Sequence, residues 1–130
     1  MKRVLLCTIA LAVLAAPAGA RTASVDGIYE TKISGQAVKA LNGDWLVSIA
    51  QSRAYAIARN GTTVVGGKLK VTRSTLTFQD VFGPYACVGA QAVGSYSYSL
   101  AGKTLRLRRL RDSCPGRVLV LTAHPLTKVR

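Results

Sequence analysis

From residue 28 onward the chain is a succession of short runs in which apolar and polar residues alternate, separated by glycine, asparagine and serine. No long stretch repeats its apolar residues at helical spacing. A period of two sends successive side chains to opposite faces of a strand, so the runs predict an all-β fold. In 28–33, Glu30 and Lys32 face one way and Tyr29 and Thr31 the other; in 45–50, Trp45, Val47 and Ile49 share a face. Asn60-Gly61 predicts a hairpin joining 54–59 to 62–65, because both residues tolerate the positive φ that the tight turn demands. Gly66 and Gly67 are expected to break that strand, after which 68–72 and 75–78 continue the pattern across Arg73-Ser74. Further runs fall at 85–88, at 94–100 and at 103–111, where Leu105 and Leu107 keep one phase and Leu110 does not. A β-bulge at Arg108 and Arg109 would return Leu110 to the core. The segment 118–121, apolar on both faces, reads as a closing strand. Residues 34–41 are the one expected helix, a turn or two stopped by Asn42 and Gly43.

About eight short strands, tight turns and no room for crossover helices predict an antiparallel up-and-down meander closed into a barrel, with a β-sandwich as the alternative. Closure removes exposed edges and leaves an interior that side chains either fill or line around one small ligand.

The first twenty residues follow a different rule. Met1, Lys2 and Arg3 precede an uncharged run over 4–16, and Pro17, Ala18, Gly19 and Ala20 follow it. This reads as a secretory signal peptide, too short to span a bilayer and cleaved after Ala20. The expectation is a single domain over 21–130, secreted or periplasmic, with no transmembrane segment after cleavage. Cys87 and Cys114 then remain, and an even number of cysteines in a small exported chain predicts a disulfide. Closing that loop should contribute roughly 3 to 4 kcal/mol. Neither a metal nor a cofactor is expected: the two cysteines and the distant His124 match no zinc spacing.

Losing Lys2 and Arg3 leaves sixteen basic residues against five acidic ones, reducing the net charge from +13 to +11. Such an excess favours anionic surfaces, with plain solubility as the alternative. The basic residues concentrate in Arg106, Arg108, Arg109 and Arg111, with Arg117 expected on the following strand. Alternate arginines on a strand project from one face and can fork onto phosphate or carboxylate. They equally make a solvated outer wall. Nucleic acid is not an expected partner, because no aromatic residues interleave the stripe. Asp44, Asp80 and Asp112 are expected at strand ends, accepting turn hydrogen bonds or pairing with arginines. Catalysis is not expected: there is no Gly-x-Ser-x-Gly elbow, and His124 sits in the tail before Pro125.

Gly43-Asp44-Trp45, opening an early strand, resembles the Gly-x-Trp signature of lipocalins and other calycin barrels. The organisation around Asn60-Gly61, Phe78-Gln79-Asp80 and Gly94-Ser95-Tyr96 is similar too. The resemblance implies that Trp45 packs across one end of the barrel, near an arginine supplied by Arg106, Arg108 or Arg117. It also implies a small apolar ligand in the cup. Trp45, Tyr55, Phe78, Tyr96 and Tyr98 are the candidate ligand-binding residues, with core packing as their plain alternative. Periplasmic metalloprotease inhibitors and avidins share the barrel. The late placement of both cysteines departs from the former, and the single tryptophan from the latter. The leading expectation is therefore an exported, non-catalytic, lipocalin-like barrel binding a small apolar or amphipathic ligand. The second is an envelope interaction protein, either a protease inhibitor or a binder of anionic cell-surface polymers through the arginines.

Overall fold

The computed structural model describes residues 24–130; the expected signal peptide lies outside the described residues. Eight antiparallel strands follow one another around a closed barrel, each paired with its neighbours in sequence. They are β1 (Gly27–Ile33), β2 (Gly43–Ala50), β3 (Ala54–Arg59), β4 (Thr62–Val71), β5 (Thr75–Phe82), β6 (Val93–Ala101), β7 (Thr104–Arg111) and β8 (Leu126–Lys128). β8 closes the ring by pairing with both β1 and β7. The expected barrel is the observed one.

Alternation produces the core. Tyr29 and Ile33, Trp45, Val47 and Ile49, Tyr55 and Ile57, and Leu76 and Phe78 are the buried partners of exposed or half-exposed neighbours. The hairpin at Asn60-Gly61 forms as expected, with φ of 49° and 85°.

In an up-and-down barrel alternate connections share an end. The connections β1–β2, β3–β4, β5–β6 and β7–β8 meet at one end, here called the mouth. Three of these four are long, running over 34–42, 83–92 and 112–125. The opposite end is closed by the short turns 51–53, 72–74 and 102–103. Tyr29 lies inside it, donating its hydroxyl to the Val25 carbonyl at 2.8 Å.

Five local expectations are corrected. Residues 118–121 form no strand but lie in the helix α1 (Pro115–Thr122). A four-residue apolar run is compatible with either state, but Pro115 presets the helical φ at N1, and Arg117, Val120 and Leu121 make a buried stripe at helical spacing. Gly66 and Gly67 do not end a strand; β4 runs through them with a register shift. They are glycines because neighbours press on the backbone: a β-carbon on Gly67 would lie 2.0 Å from the Gln79 carbonyl oxygen, and one on Gly66 2.0 Å from the Phe82 ring. The bulge in β7 is displaced, since Arg109 pairs with Tyr96 and Arg111 with Ser95, which leaves Leu110 as the extra residue. Leu110 is 57% exposed, so the bulge releases it from the core instead of recovering it. Residues 85–88 form no strand and belong to the long β5–β6 connection. The expected helix at 34–41 shrinks to a 3-10 turn at Lys39–Leu41.

Candidate functional site: a mouth cavity over a buried arginine

α1 lies across the mouth and carries Arg117 inward, where the residue is only 4% exposed. Four of its guanidinium N–H groups donate hydrogen bonds, and an ion pair adds to them. Nε and Nη2 fork onto Asp112, each at 2.7 Å, and a second Nη2 proton reaches the Gln91 carbonyl at 2.8 Å. Nη1 donates to the Ala92 carbonyl at 3.2 Å and lies 3.0 Å from Asp80 Oδ1. Two tyrosines complete the cluster from the barrel side: Tyr55 donates to Asp80 and Tyr96 to Asp112. The backbone N–H groups of Cys87 and Cys114 donate to Asp80 at 2.8 Å and to Asp112 at 2.9 Å. Gly94 makes room, because a β-carbon there would meet the Asp112 carboxylate at 2.3 Å.

The disulfide Cys87–Cys114, with Cα atoms 6.1 Å apart, ties the β5–β6 connection to the start of α1 beside this cluster. Asp80 lies close to both sulfurs, but sulfurs bonded to each other offer no thiolate to a metal.

Charge and burial act in opposition here. Burial alone would raise the Asp112 pKa, yet hydrogen bonds from Arg117, Tyr96 and the Cys114 N–H hold it below its ordinary value. Burial alone would lower that of Arg117, yet Asp112 and Asp80 raise it. Burial, and then the hydrogen bonds to Asp80 and Asp112, push the Tyr55 and Tyr96 phenols far up, so both remain protonated donors.

Beside this cluster the mouth keeps a half-open cavity of about 260 Å³. Its walls are largely apolar, formed by Leu41, Trp45, Ile57, Val65, Tyr85 and Val120. Asp80, Arg117 and the disulfide form its polar edge. Trp45 is held in place by its indole N–H, which donates to the Leu41 carbonyl at 3.0 Å, and its ring centroid stands 6.4 Å from that of Tyr85.

The residues expected to bind ligand therefore separate. Trp45 lines the cavity. Tyr55, Phe78 and Tyr96 pack edge to face, with centroids 4.9 and 5.7 Å apart, and fill the barrel interior instead of lining a deep cup. Tyr98 lies toward the opposite end, donating its hydroxyl to the Thr72 carbonyl at 2.9 Å. Arg106, Arg108, Arg109 and Arg111 are exposed on β7, with Arg106 opposite Ser99 and Arg108 opposite Ser97. Arg117 does not join that stripe: it sits on α1, and its donors are engaged by Asp112, Asp80 and the Gln91 and Ala92 carbonyls. The expected pairing of aspartates with arginines holds for Asp80 and Asp112, whereas Asp44 meets Lys32 at 3.9 Å on the surface. Leu41, Tyr85 and Val120 were not legible as cavity residues, since two lie in connections and one in an unforeseen helix.

The fold and site define a closed eight-stranded up-and-down barrel with a small, largely apolar cavity at a disulfide-tied mouth. In comparisons with known proteins, no family model, no curated protein and no solved structure matches this chain.

Proposed function

We propose that this protein is an exported, non-catalytic, lipocalin-like barrel that binds a small apolar or amphipathic molecule in its mouth cavity. The observation that carries this reading is the concave site itself, apolar on most sides, with polar groups confined to one edge. At about 260 Å³ it lies just below the roughly 300–1,000 Å³ of drug-sized sites, so the ligand is small. The polar edge sets the Arg117 guanidinium against the Asp80 carboxylate, with Asp112 behind it, so the cluster as a whole is anionic and favours a neutral or cationic polar end over an anionic one.

Native mass spectrometry of protein purified from its own host tests this directly. The expected result is a reproducible extra mass released on unfolding; a bare chain, unresponsive to candidate ligands, would overturn the proposal. Trp45, the single tryptophan, reports occupancy by its fluorescence. Gly116→Leu, projecting from α1 into the cavity, should abolish the response while leaving the fold intact.

A second reading, adhesion to anionic envelope polymers through β7, is supported by Arg106, Arg108, Arg109 and Arg111. All four are exposed, with no carboxylate in ion-pair range among the described residues. Polymer binding of this kind should weaken steeply with salt and disappear when these four become serine.

A further inference from the structure

The exposed large apolar side chains of this barrel are not scattered. Among the described residues, all of them but Val129 lie at the mouth end. Val38, 60% exposed, stands on the β1–β2 connection; Tyr85 and Val88, 39% and 78% exposed, stand on the β5–β6 connection. Phe82, at the end of β5, and Leu110, at the bulge of β7, extend the rim along the outer wall. The two connections that carry these side chains also wall the mouth cavity, through Leu41 and Tyr85.

Charge at this end is positive. Lys39, Arg109 and Arg111 are exposed there, the exposed carboxylate of Asp44 is offset by Lys32 at 3.9 Å, and the carboxylates of Asp80 and Asp112 are buried against Arg117. Apolar tips with a basic collar are unfavourable in water and suit a layered surface, acyl chains beneath anionic headgroups. A polysaccharide or nucleic acid would use the charges and leave the apolar tips without a partner. We propose that the mouth rim docks on an anionic lipid bilayer, with Val38, Phe82 and Val88 entering the headgroup boundary and Lys39, Arg109 and Arg111 meeting lipid phosphates. The orientation points the mouth cavity at the membrane. The surface stands whether or not the cavity holds a ligand.

Co-sedimentation of the disulfide-bonded protein with vesicles tests this, using pure phosphatidylcholine against equal parts phosphatidylcholine and phosphatidylglycerol. Binding is expected only to the mixed vesicles and should fall as salt rises. The double variant Val38→Ser, Val88→Ser changes two exposed side chains on separate connections, and its thermal unfolding should match that of the parent. It should weaken binding about tenfold or more. Arg109→Ser with Arg111→Ser should weaken it about tenfold as well, whereas Arg53→Ser with Arg73→Ser, the same charge change at the closed end, should alter it less than about threefold. Equal losses from the two arginine pairs, or no loss from the valine pair, would overturn the docked orientation. Binding to a soluble polyanion that survives the valine changes unaltered, with none to vesicles, would overturn the lipid assignment.

Discussion

At the scale of single residues, Arg117 governs the mouth. A buried charge is tolerated only when its partners neutralise and hydrogen-bond it, and removing one partner leaves the others stranded. Arg117→Met should therefore destabilise the fold by about 3–5 kcal/mol, measured by urea unfolding, because two carboxylates and two backbone carbonyls lose their donor. Asp112 makes the same cluster sensitive to acid. Its folded pKa lies below its ordinary value of 3.8, so the folded state binds its proton less readily than the unfolded state. The stabilisation is complete above the unfolded value and is lost as pH falls through the folded one. Unfolding free energy should thus drop as pH is lowered below about 4, and Asp112→Asn should reduce that dependence while lowering stability at neutral pH. If the variant retains the full acid-induced loss, the source lies elsewhere.

At the scale of elements, the sharpest test concerns β4. Gly67 admits the β5 backbone where a side chain cannot fit, and the Phe82 ring lies over Gly66. Gly67→Ala should cost about 1–3 kcal/mol or more, since the obstacle is a backbone carbonyl that cannot rotate away. Thermal denaturation checks this, and an unchanged midpoint would mean that β5 can shift. The disulfide works on a neighbouring problem. It joins the β5–β6 connection, which carries Asp80's partner Cys87, to α1, which carries Arg117. Replacing both cysteines by serine should cost roughly 3–4 kcal/mol by the loop-closure argument, and should also loosen the cavity wall, lowering Trp45 anisotropy.

At the scale of the whole molecule, closure rests on the three residues of β8, whose Leu126 is fully buried and whose backbone pairs with β1 and β7. Truncation after Pro125 would expose two strand edges at once. The shortened chain should lose cooperative unfolding and self-associate, measured by calorimetry and sedimentation; a monomer melting like the parent would show that β8 is dispensable. The rest of the barrel is held by longer ladders, so opening is expected at the β1–β8–β7 seam before anywhere else.

Period-two alternation together with the Asn60-Gly61 turn sufficed to read the all-β meander from residues alone, because strand faces and turn φ values are local properties. The cysteine count likewise determined the disulfide, since only one pairing remained once residues 1–20 were set aside. Tertiary structure decided the rest. It made a helix of 118–121, whose four apolar residues suit either period, and it used Gly66 and Gly67 for close approach instead of termination. It also drew Arg117 away from the arginine stripe into a cluster whose members are separated by up to 62 positions, from Tyr55 to Arg117. Whether Tyr55, Phe78 and Tyr96 line a cup or fill it depends on how far the barrel walls stand apart. Strand number and stagger set that distance across the whole ring, and no single run of sequence contains it.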